Sequence, residues 1–83
     1  MEQDLKARFD KAFFNIVMLP SKHSRDLKRM WTNMANIRTE MSKESVECRR
    51  LKKTTVRFAE LEAKLAESLD LVEQYLTYAT LML

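Results

Sequence analysis

Residues 27–83 read LKRMWTNMANIRTEMSKESVECRRLKKTTVRFAELEAKLAESLDLVEQYLTYATLML, and the fold turns on the period of their apolar side chains. With Leu27 at heptad position a, the a series is Leu27, Met34, Met41, Cys48, Thr55, Glu62, Leu69, Leu76 and Leu83. The d series is Met30, Ile37, Glu44, Leu51, Phe58, Leu65, Val72 and Ala79. Only Glu44, Thr55 and Glu62 interrupt the seam. A period of 3.5 kept this long, with no Gly and no Pro after Pro20, is the pattern of one uninterrupted helix whose seam faces another helix. At ~1.5 Å per residue it would be roughly 85 Å long, too long to bury its seam against the rest of the chain. The expected function is therefore coiled-coil oligomerisation or scaffolding, by protein–protein association through a homo-oligomer or a helical partner protein.

Two places in the stretch are weak in helix propensity, Ser42-Lys43-Glu44-Ser45 and Lys52-Lys53-Thr54-Thr55. A break at either would give a self-contained three-helix bundle. Neither contains Gly, Pro or Asn, neither starts a Ser/Thr-x-x-Glu capping box, and the heptad phase crosses both without a shift. Periodicity is the stronger signal, and it predicts a continuous helix over 26–83.

Upstream, Leu5, Phe9, Ala12 or Phe13, and Ile16 or Val17 recur at spacings of three and four opposite Glu2, Lys6, Asp10 and Lys11. That pattern predicts a short amphipathic helix within residues 1–20. Proline disfavours helical geometry in the residue before it, so Pro20 ends this helix near Met18 or Leu19. A turn at 21–25 follows, with Ser21 or Ser24 as N-cap of the long helix. Connections this short fold back, giving a helical hairpin in which the first helix covers residues 27–41 and Trp31 is a lid beside the seam.

The expected class is all-α: a hairpin of a short and a long coiled-coil helix, assembling into an oligomeric helical bundle. With no Gly and one Pro, the chain has almost nothing from which to make the tight turns of a β or α/β fold. In the C-terminal half, Ala59, Leu61, Ala66, Tyr75 and Met82 occupy e and g positions, a stripe wide enough for three or more helices. Charge is uneven along the rod. Residues 22–57 carry eleven Lys or Arg against four acids, whereas 58–83 carry one Lys against five acids. Such a charge dipole leans towards antiparallel association.

The partner-binding residues expected from the seam are Leu27, Met30, Met34, Ile37, Met41, Leu51, Phe58, Leu65, Leu69, Val72 and Leu76. The sharpest polar feature is Arg49, Arg50, Lys52, Lys53 and Arg57, five cations within nine residues. They are the candidates for an alternative function, peripheral binding to an anionic membrane surface or nucleic acid. Nucleic acid is not favoured, because these cations lie inside the heptad region and lack the pattern of basic-zipper helices. A membrane surface is open but not favoured either, since the polar face of the Phe9-Phe13-Phe14 helix has no net charge.

No catalytic residues are expected, so the chain reads as a non-enzyme. The single histidine, His23, lies in the expected turn with no carboxylate, Cys or Ser at helical spacing. The single cysteine, Cys48, sits at a seam position, where core packing is the simpler role. No metal-ligand cluster and no phosphate-cradling loop is present in the sequence, and no cofactor is expected. One cysteine, no run of about 18 apolar residues and no signal peptide fit an intracellular protein, cytoplasmic or nuclear. Leu83 ends in mid-pattern, so the chain is expected to be a fragment of something longer.

Overall fold

The computed structural model describes residues 2–81, with side chains described for 4–20 and 25–81. The chain forms three helices, α1 (Glu2–Val17), α2 (Ser21–Leu51) and α3 (Val56–Leu81). Among the described residues there is no strand, and no helix is long and apolar enough to cross a membrane.

In α1, Leu5, Phe9, Ala12 and Ile16 are buried at spacings of four, three and four. Phe13 and Val17, the alternatives at the same turns, are exposed. The helix ends where Pro20 requires. The Leu19 amide donates to the Ile16 carbonyl at 3.1 Å, and Pro20 takes an extended geometry (φ −58°, ψ 151°) at the N-cap of α2. Proline has no N–H to leave unsatisfied at a helix start, so α2 begins at once at Ser21 and the turn expected at 21–25 is helical. The side chains of Ser21, His23 and Ser24 lie outside the described residues.

The helix expected over 26–83 is two helices. α2 stops at Leu51 and the chain reverses through Lys52, Lys53, Thr54 and Thr55, the second of the two weak places. Lys52 adopts the left-handed conformation (φ 57°, ψ 37°). Its amide donates to the Arg49 carbonyl at 3.3 Å, and the Lys53 amide donates to the Cys48 carbonyl at 3.1 Å, together forming a Schellman closure. Thr55 then caps α3, its hydroxyl accepting the Phe58 amide at 3.1 Å. A left-handed Lys costs about 1–2 kcal/mol. Against that, folding back buries seven α3 side chains, Phe58, Leu61, Leu65, Leu69, Val72, Leu76 and Ala79. Complete burial of a large apolar side chain is worth about 1.5–3 kcal/mol, so packing outweighs the strained residue several times over.

All three pairs of helices pack against one another. Asp10 pairs with Arg38 at 3.9 Å while Phe13 stacks on Trp31 with ring centres 4.8 Å apart, so α1 and α2 are antiparallel. Glu44 accepts from Thr55 at 2.6 Å and Glu40 from Arg57 at 3.2 Å, which fixes α2 and α3 as antiparallel. α1 therefore runs parallel to α3, with Leu5 beside Ala59, Glu62 and Ala66, and Asn15 beside Glu73, Thr77 and Thr80. The wide apolar stripe of α3 is explained within the chain, because α3 meets two helices. Leu61 is buried, and Ala66 and Tyr75 are half-buried against the core, whereas Ala59 is exposed and Met82 lies outside the described residues.

The molecule measures 48 × 16 × 16 Å. By its rise α2 is about 46 Å long and spans the whole rod, whereas α1 is about 24 Å and spans half. Grooves beside α1 run from Lys28 to Ser42 on α2. Beyond Ser42 on α2 and before Ala59 on α3, the α2–α3 hairpin projects past the start of α1. α1 is held by Phe9 and Phe13 against Trp31 and by Arg38 stacked over Phe9 at 4.9 Å. On the α3 side, Arg8 donates to both carboxylate oxygens of Glu73 (3.0 and 2.7 Å) and to Asp70 (2.7 Å). Those acceptors, Glu73 first, raise the guanidinium pKa further above its already high value. A pKa raised on folding contributes stability that, on the alkaline side, is lost only as pH rises through the guanidinium range.

Candidate functional site

The seam residues and the basic residues part company in the structure. Of the seam set, Leu27, Met34, Met41, Phe58, Leu65, Leu69, Val72 and Leu76 are buried within the chain's own core, and Met30 and Ile37 are half-buried against it. Only Leu51 is exposed. The heptad register thus marks core positions, but its partner is the other half of the same stretch folded back on itself.

The polar interruptions of the seam meet at the turn. Thr55, from one a position, donates its hydroxyl to Glu44, from a d position, at 2.6 Å. Cys48 lies beside them, half-buried, accepting the Thr55 amide at 3.5 Å. In one long helix Glu44 and Thr55 would interrupt the seam, whereas across the hairpin each satisfies the other. The signal that could have found the turn is this pair of polar seam residues eleven positions apart. Glu62, the third interruption, faces a groove between α1 and α3 of about 370 Å³, with Asp4 and Arg8.

The turn also gathers charge. Arg49, Arg50, Lys52, Lys53 and Arg57 are all exposed, and all lie at the projecting end of the hairpin. Two are engaged: Arg50 pairs with Glu47, one helical turn back, and Arg57 with Glu40. For Arg49, Lys52 and Lys53 no ion pair is present among the described residues. Arg49 and Arg50 occupy the last turn of α2, where cations offset the negative end of the helix dipole. Residues 43–57 carry six cations and two acids, a net charge of +4. Both acids are occupied, Glu44 by Thr55 and Glu47 by Arg50. Two apolar side chains flank the same turn, Leu51 and Val56, and Val56 is 76% exposed. The sequence supplied the five cations, but their position at an end of the molecule followed only once the turn was known.

The opposite end mixes exposed cations on α2, Arg25, Lys28 and Arg29 beside Asp26, with exposed apolar side chains. Phe14, on α1, and Met18, just past its end, are 62% and 70% exposed, and Tyr78 and Leu81, on α3, 61% and 80%. Because α1 and α3 are parallel, these four side chains share the end away from the basic turn. For catalysis the structure adds nothing to the sequence, and among the described residues no three His, Cys, Asp or Glu side chains stand together as metal ligands. Comparison with protein families, with curated proteins and with solved structures finds no match to this chain.

Proposed function

We propose that this chain is a helical module that binds an anionic surface through the hairpin tip of residues 49–57. One observation carries the reading: the α2–α3 turn collects Arg49, Arg50, Lys52, Lys53 and Arg57 at a single projecting end, all exposed, with Glu44 and Glu47 engaged by Thr55 and Arg50. The acids Glu67, Asp70 and Glu73 lie further along α3, away from the tip. Binding of this kind weakens steeply with salt. The test is a salt series with two probes, anionic vesicles and duplex DNA, for the native chain and for a triple variant with Arg49, Lys52 and Lys53 replaced by Glu. The native chain binds at least one probe at low salt and the variant binds neither. Indifference of the native chain to both probes would remove the reading.

A second reading, protein–protein association, draws on the apolar end formed by Phe14, Met18, Tyr78 and Leu81. It retains the oligomerisation expected from the sequence but moves it off the seam, which is spent on the core. Sedimentation equilibrium over a range of concentrations tests it: a dimer or larger assembly that reverts to monomer on Met18→Lys and Tyr78→Lys supports it. A monomer at every concentration leaves self-association without support.

A further inference from the structure

Resting on the anion-binding reading, we propose that the surface met by the tip is an anionic lipid bilayer, with Val56 and Leu51 entering the headgroup region between the cations. The apolar pair makes the distinction. Val56 is 76% exposed and Leu51 41% exposed, and they bracket Lys52 and Lys53 at the outermost point of the hairpin. Against a phosphate backbone these two side chains gain nothing. At a bilayer interface, apolar side chains enter the boundary of the acyl region while Lys and Arg stay with the headgroups, and the two contributions add.

The shape and composition of the tip favour the same surface. Two antiparallel helices side by side, each ~10 Å across, make a body about 20 Å wide, broader than the ~12 Å major groove that admits a single helix. Single-stranded nucleic acid is held by stacking on aromatic side chains, and residues 43–57 contain no Phe, Trp, Tyr or His. A tip with two lysines at its turn and an exposed apolar side chain on either side suits a deformable, laterally extended surface.

Charge then sets the orientation. Glu67, the first of the three more distant α3 acids, lies eleven residues beyond Val56, about 16 Å along the helix. That is roughly two Debye lengths at physiological salt, so repulsion of Glu67, Asp70 and Glu73 by the headgroups is weak when the rod stands upright. Laid flat on its α3 face, the rod would turn the same acids to the bilayer. Glu60 is only one turn from Val56 and limits how deep the tip can enter.

The experiment is co-sedimentation with phosphatidylcholine vesicles containing about 30% phosphatidylserine, beside pure phosphatidylcholine vesicles and duplex DNA. Val56→Ser, at an exposed first position of α3, keeps the charge of the tip and the folded circular dichroism spectrum. It is expected to weaken vesicle binding about tenfold and to leave any DNA binding unchanged. A second variant, Val56→Trp in a Trp31→Phe background, is expected to bind the mixed vesicles more tightly and to show a blue shift of its emission on binding. Salt-dependent binding to DNA without binding to vesicles would overturn the lipid assignment and leave the anion-binding reading in place. Loss of both would remove both. Vesicle binding unaffected by Val56→Ser, with no blue shift for Val56→Trp, would overturn the inserted tip and leave an electrostatic one.

Discussion

The two turns of this molecule are built by opposite means. Between α1 and α2 the chain reverses at Pro20, whose fixed φ and missing N–H end one helix and start the next through local covalent geometry. Between α2 and α3 it reverses at Lys52, a residue with no preference for the left-handed conformation it adopts, held there by what the packing of α3 returns. The first turn follows from the residues at the turn. The second follows from residues up to about 25 positions away, and a window placed on it shows only a stretch of modest helix propensity.

If the second turn depends on distant packing, removing that packing has the largest effect. Leu69 is fully buried, and Leu69→Asp places an unpaired carboxylate among apolar side chains. The expected loss is at least ~4 kcal/mol, enough to abolish a cooperative urea transition in a domain of this size. An unchanged transition would mean that α3 is not sealed against the other two helices.

The next two substitutions separate a turn from a continuous helix by their sign. Thr55→Ala removes the α3 cap and leaves Glu44 without the hydroxyl it accepts, and is expected to destabilise by about 1–2 kcal/mol in chemical denaturation. In an uninterrupted helix the same change stabilises, since Ala is the better helix former. Lys52→Gly has the smallest effect and the sharpest sign. At the left-handed position it is expected to raise stability by about 1 kcal/mol, whereas inside a helix it costs about as much. A fall in the urea midpoint for Lys52→Gly would place residue 52 inside a helix and return the fold to a single long rod.

These contrasts also show how much was legible in the sequence. The all-α class and a first helix that stops before Pro20 follow from local signals and appear in the structure with small shifts. The heptad identified core positions in both α2 and α3. What it could not carry is the address of the facing helix, because an apolar stripe is the same whether its cover comes from another chain or from its own continuation. Capping gave no warning either. Thr55 is followed three residues later by Phe58, so the reciprocal half of a capping box is absent, and no Gly marks the α2 end. The candidate site inherits the same gap: Arg49 to Arg57 were visible as a charge run, and became an end of the molecule only when the chain reversed between them.

The unequal lengths of the helices make the rod a spacer whose span can be altered without touching its ends. The hairpin beyond α1 is two-stranded, so one heptad added to α2 after Ser42 and a matching heptad added to α3 before Ala59 would extend the molecule by about 10 Å. The basic turn would travel outward as a unit, and the aromatic clasp of Phe9, Phe13 and Trp31 would stay where it is. The distance between the basic turn and the far end of the bundle is therefore set by heptad count alone, a quantity that insertion or loss of paired repeats can tune in steps.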